Sequence, residues 1–142
     1  MIDALALTAA LTLAGPTVEP TEPTRRQAVA EARRFPLRWK PFAACVIRRE
    51  SHGNPRAVNG SSGAAGIAQW MPAWRHGLPF ALYRRLRAVG MDHAQATRIR
   101  KSMPHLIQRW PEWAQRAAMV QVLVEGGAAH WRLSGSPCEA YR

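Results

Sequence analysis

From Thr24 onward, prolines and glycines cut this chain into five stretches of helical length, and that punctuation constrains the fold more than any other feature. Thr24 and Gln27 have the spacing of a capping box before a helix over residues 25–34, which Pro36 stops. Pro41, a good first-turn residue, opens a second helix that runs to about Ser51, with Phe42, Cys45, Val46 and Arg49 on one side and Gly53 ending it. Helical stretches follow at Phe80 to Val89 and, capped by Asp92, from His93 to about Met103. The clearest helix is Pro111 to Glu125, where Trp113, Ala117, Val120 and Val124 form a stripe at helical spacing and Gly126-Gly127 ends it. Between Asn54 and Ala68 the chain is rich in Gly, Ser and Asn and has room for a short hairpin at most. The expected fold is a mainly α domain with at most one small β-hairpin beside the second helix.

The first 23 residues read differently. Met1 to Gly15 is an apolar run ending in Thr12-Leu13-Ala14, a small-x-small pattern of the signal-peptide kind, although Asp3 stands where a basic residue is usual. About a dozen apolar residues fall short of the roughly 18 needed to span a bilayer, so a secretion signal, a membrane or assembly contact through residues 1–15, and an arm all stay open. Three prolines in GPTVEPTEPT make the next ten residues an extended linker. The domain division is therefore a leader and linker over 1–23 and a folded domain over 24–142.

Charge narrows the chemistry. The whole chain has 20 Lys plus Arg and 9 Asp plus Glu, and residues 25–142 hold all the bases with only six acids, for +14. Such a surface attracts polyanions, whether nucleic acid, anionic membrane or anionic cell wall. The apolar fraction of 47% and charged fraction of 20% exclude wholesale disorder. Carboxylate chemistry in the body must draw on Glu31, Glu50, Asp92, Glu112, Glu125 or Glu139.

Glu50 is the candidate. It ends an apolar helix, ahead of the Gly-rich loop and of Gly63-Ala64-Ala65-Gly66-Ile67-Ala68-Gln69-Trp70. The negative pole of a helix C-terminus disfavours an ionised carboxylate, as partial burial would, so a carboxyl that stays protonated and acts as a general acid is the sharp expectation. Arg49 and Arg48, one and two positions away, face elsewhere on a helix and are not expected to oppose it. The plainer reading, which local physics favours, is a solvated Glu at a charged helix end.

Glu50-Ser51-x-Gly-Asn-Pro-x-Ala-Val followed by Gly63-Ala64-Ala65-Gly66-Ile67-Ala68-Gln69 resembles the signature of lytic transglycosylases and goose-type lysozymes, strongly over residues 41–75 and weakly beyond. The resemblance implies an α+β lysozyme-like fold and cleavage of the β-1,4 bond between N-acetylmuramic acid and N-acetylglucosamine in peptidoglycan. It makes Glu50 the catalytic acid and then base, puts Ser51 near that carboxyl or the substrate, sets Gln69 on the sugar or orienting the site, and lays Gly66 and Ile67 along the groove floor. The family's later Ala-Tyr-Asn-Ala-Gly segment is poorly matched by Leu123-Val124-Glu125-Gly126-Gly127, so the tyrosine that orients the family's Glu has no counterpart, and Glu125 either takes over or only ends its helix. With one motif-supported acid, the implied outcome is attack by the muramyl 6-hydroxyl on its own anomeric carbon, giving a 1,6-anhydromuramyl product without metal or cofactor. Hydrolysis is the alternative, with Asp92, Glu112 and Glu125 as spare acids.

Other residue types fill in around this reading. Trp70 and Trp74, on either side of Pro72, are candidate sugar platforms; Tyr83 is a weaker one, and Trp113 reads as core. The histidines show no metal-ligand spacing, and His52 reads as an exposed loop residue. Cys45 and Cys138 are either a disulfide or two buried thiols; a cysteine just before the Glu, paired near the C-terminus, is similar to the resuscitation-promoting factors of actinobacteria. The expected partner is the peptidoglycan strand, the chain acting as a monomer unless part of an assembly, at the cell envelope, secreted, or in a phage particle or lysis cassette. The rival readings are a lysozyme-like protein that binds glycan without cutting it and, more remotely, a nucleic-acid binder. The bases are spread through every segment and no nucleic-acid motif is present, which speaks against the latter.

Overall fold

The structure, a computed structural model, describes residues 23–132 and 136–141; the apolar leader at 1–15 lies outside them. Five α-helices follow one another among the described residues: α1 (Arg25–Ala32), α2 (Lys40–Ser51), α3 (Leu78–Ala88), α4 (His93–Ser102) and α5 (Glu112–Val124), with short 3-10 turns ahead of α2, α3 and α5 and after α5. The mainly α lysozyme-like class read from the sequence is what the chain adopts. Both side-chain caps act as expected. Thr24 accepts from the Gln27 amide while Gln27 reaches back to the Thr24 amide, and Asp92 accepts from the Gln95 amide at 3.0 Å.

α3 begins two residues earlier than the punctuation predicts, because Pro79 sits in its first turn, where a missing N–H costs nothing. Two isolated antiparallel bridges, Val58 with Ala65 and Ala65 with Trp70, stand in place of a hairpin. Asn59 makes the tip: its side-chain oxygen accepts from the amides of Ser61 and Ser62, and its carbonyl from that of Gly63 at 2.8 Å.

α5 corrects the stripe expected of it. Ala114, Gln115, Ala117, Ala118, Met119, Val120, Val122 and Leu123 are all buried, whereas Val124 is exposed and Trp113 only half-buried. The helix is covered on nearly every side, packing most extensively on α3 and also on α1. Small residues make this possible, since Ala at 114, 117 and 118 lets the neighbouring helices approach. No helix among the described residues is long and apolar enough to cross a membrane. The C-terminal segment, Pro137–Tyr141, packs on α2, fastened by a disulfide between Cys45 and Cys138 with Cα atoms 5.5 Å apart.

Candidate active site

α2 carries Glu50 in its last turn and stops at His52, which takes the left-handed conformation (φ 53°) one residue before Gly53. The amides of His52 and Gly53 close on the carbonyls of Arg48 and Ile47, so the helix end is satisfied by its own backbone. Glu50 is partly buried, its side chain 23% exposed. Arg49 corrects the expectation for its position: its guanidinium curls onto its neighbour, Nε donating to Glu50 Oε1 at 2.9 Å and Nη2 meeting the same oxygen. The rest of that guanidinium is spoken for, Nη1 by Ser136 Oγ and Nη2 also by the Trp131 carbonyl at 3.3 Å. Helical geometry does hold these two side chains about 100° apart at Cβ. A long arginine pinned from the C-terminal segment bridges that angle.

Ser51 is buried, and its hydroxyl does not point a free donor at substrate. It donates to the Ile67 carbonyl at 2.8 Å, with the Ile47 carbonyl at 3.2 Å, and accepts from the Gly53 amide. The residue after Glu50 therefore clamps the 63–70 loop to the end of α2. Gly66 and Ile67 are buried too, behind Gln115 of α5. Gly66 adopts φ +81°, and a Cβ there would collide with Gln115 Oε1 and stand 3.2 Å from Ile107, so both backbone sign and space demand glycine. The Ile67 amide donates to Gln115 Oε1 at 2.8 Å. Trp70 is 2% exposed and belongs to the core. Ser51, Gly66, Ile67 and Trp70 thus support the site from behind where the sequence suggested contact with sugar.

The accessible set is smaller and partly new. Gln69 is half-buried with φ +49°, its amide nitrogen turned back to the Gly66 carbonyl at 3.3 Å. Trp74 is half-buried, its ring 5.2 Å from Trp70 and 4.5 Å from the exposed His130. Trp131 knits these together: its indole N–H donates to the Ala68 carbonyl at 2.9 Å, its ring meets Trp70 edge-on at 5.0 Å, and its carbonyl accepts from Arg49. Through that residue, Glu50, the Gly-rich loop and Trp74 become one connected region. Sequence reasoning missed Arg49, Gln115 and His130. The signal for Gln115 was a carboxamide among the alanines of α5, readable only once nearly every face of that helix is known to be buried.

Four of the other acids have structural partners. Asp92 caps α4, Glu112 pairs with Arg116 at 2.7 Å one turn on, Glu31 pairs with Arg34 at 3.4 Å on the surface, and Glu125 ends α5 in a two-pronged pair with Arg84 at 2.7 and 2.8 Å. The Arg84 hydrogen bonds hold the Glu125 carboxyl below the ordinary carboxylate range against its partial desolvation, with help from Gln121. Tyr83 bonds His93 at 2.9 Å. Among the described residues, no three or more His, Cys, Asp or Glu side chains gather as a set that could hold a metal ion.

Residues 28–88 match the family described as the transglycosylase SLT domain. The match is to a family within the lysozyme-like superfamily. The matched stretch contains the latter part of α1, all of α2 with Glu50, the whole 63–70 loop, Trp74 and α3. No curated protein and no solved structure matches the chain. The SLT match supports a peptidoglycan-cleaving function of the lytic transglycosylase type, with peptidoglycan as the substrate.

Proposed function

We propose that this SLT domain cleaves the β-1,4 bond between N-acetylmuramic acid and N-acetylglucosamine with Glu50 as its one acid and base, releasing 1,6-anhydromuramyl ends. The observation that carries the reading is the disposition of the carboxylates. Glu31, Asp92, Glu112 and Glu125 are each engaged in a surface ion pair or a helix cap, while Glu50 stands half-buried where α2 meets the SLT-type loop. In the reaction, Glu50 gives a proton to the glycosidic oxygen as the C1–O4 bond breaks. The same carboxylate then takes the proton of the muramyl 6-hydroxyl as O6 bonds to C1. Atoms balance with no water consumed, and the intramolecular nucleophile stands in for a second carboxylate. Arg49 fixes Oε1, so Oε2 is the oxygen that delivers the proton. Gln69, Trp74 and His130 are the groups that meet the glycan, the indole face against sugar C–H groups.

The Cys45–Cys138 bridge supports an oxidising location, secreted or at the cell envelope, or a phage-borne enzyme released there. A second reading, glycan binding without cleavage, is favoured by one observation: the Arg49 guanidinium already occupies Glu50 Oε1 as an ion pair. Mass spectrometry of muropeptides released from purified sacculi separates the two. Wild type is expected to release products at the anhydro mass and Glu50→Gln to lose at least about 100-fold in rate. Products heavier by one water would establish hydrolysis, and binding without turnover by wild type would establish the second reading.

A further inference from the structure

Away from Glu50, residues 33–40 read Arg-Arg-Phe-Pro-Leu-Arg-Trp-Lys and form the turn between α1 and α2. Leu37 at its apex is 87% exposed, more than any other large apolar side chain among the described residues. A lone exposed leucine is ordinary. This one is ringed by Arg33, Arg34, Arg38 and Lys40, all exposed, with Glu31 the neighbouring acid. It also borders a groove of about 570 Å³ lined by Arg34, Phe35, Pro36, Leu37 and Lys40.

The display is held firmly. Arg85 of α3 reaches under the turn to the carbonyls of Ala32, Glu31 and Arg34 at 3.0, 3.1 and 3.4 Å. The amides of Trp39 and Lys40 close on the Pro36 carbonyl at 2.9 and 3.0 Å. Phe35 and Trp39 pack their inner faces on the core, and the Arg38 guanidinium lies 5.5 Å from the Trp39 ring. Rigid backbone, an apolar tip and a cationic collar belong together when the facing surface is negative outside and apolar just beneath.

We propose that the 33–40 turn is a docking surface for an anionic lipid bilayer, Leu37 entering the acyl boundary while Arg33, Arg34, Arg38 and Lys40 meet lipid phosphates. The apolar tip selects a bilayer over a hydrophilic polyanion, which would give Leu37 nothing to bury against. α2 starts at this turn and carries Glu50 in its last turn, about 15 Å further along its axis. Docking therefore leaves the candidate site uncovered, and the inference stands whether or not Glu50 is catalytic.

The test is flotation of the full chain with vesicles of phosphatidylcholine containing phosphatidylglycerol, against pure phosphatidylcholine, at fixed salt. The full chain is expected to float with the anionic vesicles only. Leu37→Ser should weaken partitioning about tenfold with unchanged melting temperature, since that side chain is almost wholly exposed, and Arg38→Gln should weaken it about fivefold. Absence of binding to anionic vesicles overturns the proposal. So does Leu37→Ser binding like wild type, which would mean attraction to charge alone or attachment through another segment. Self-association in sedimentation velocity that Leu37→Ser abolishes would assign the turn to a second copy of the chain and overturn it too.

Discussion

The Gln115 side chain accepts from the Ile67 amide and donates toward the carbonyls of Pro55, Ile107 and Trp110, at 2.8, 2.9, 3.2 and 3.1 Å, while itself fully buried. One carboxamide thus satisfies backbone from both ends of the Gly-rich segment and from the turn before α5. Gln115→Ala would leave those groups desolvated and unpaired, and is expected to cost about 3 kcal/mol, roughly 10 °C in melting temperature. Gln115→Met fills the space without the hydrogen bonds and should recover less than half of that loss, a difference that thermal denaturation resolves. Glu50, Ser51, Gly66 and Gln69 stood out in the sequence because their order and spacing form a motif, but the inward placement of Ser51 and Gly66 did not. Gln115 was not, since a glutamine in a helix reads as a solvent-facing residue until the packing around it is known. Arg49 was misread for a related reason: helix periodicity fixes where Cβ points, but a long side chain ends wherever its partners hold it.

At the scale of elements, α3 and α5 are joined at the surface by the Arg84 and Glu125 pair as well as through the core. Because Glu125 titrates below its unfolded value, the stabilisation it supplies is present above the unfolded value of 4.5 and is lost as the pH falls through the lower folded one. Glu125→Gln should melt about 2 °C below wild type at pH 7, a small effect because the pair is well exposed, and the two curves should converge on acidification below about pH 4. Convergence absent, with the gap persisting at pH 3, would assign the stabilisation to packing instead. The helices themselves were legible to within two residues, since caps and prolines act locally. The stripe on α5 was not, because periodicity reports a helix with one solvent face and this helix has almost none.

For the molecule as a whole, the bridge from Cys45 to Cys138 closes a separation of 93 residues and fastens the C-terminal segment over the same face of α2 that carries Arg49. Replacing both cysteines by serine is expected to lower stability by about 2–5 kcal/mol, mainly through the larger freedom of the unfolded chain, and a melting curve in reducing buffer should approach that of the double variant. An unchanged melting temperature on reduction would mean that packing alone holds the segment. The sequence by itself determined the helical class, the caps and the position of Glu50, because each follows from neighbours within a few residues or from a local motif. Only the tertiary structure decided that Ser51, Ile67 and Trp70 face inward, that Arg49 rather than a tyrosine attends Glu50, and that Leu37 stands clear of the core amid four cations. Those are outcomes of contacts between segments tens of residues apart, whose geometry is set by the packing of the whole core and is written in no single stretch of chain.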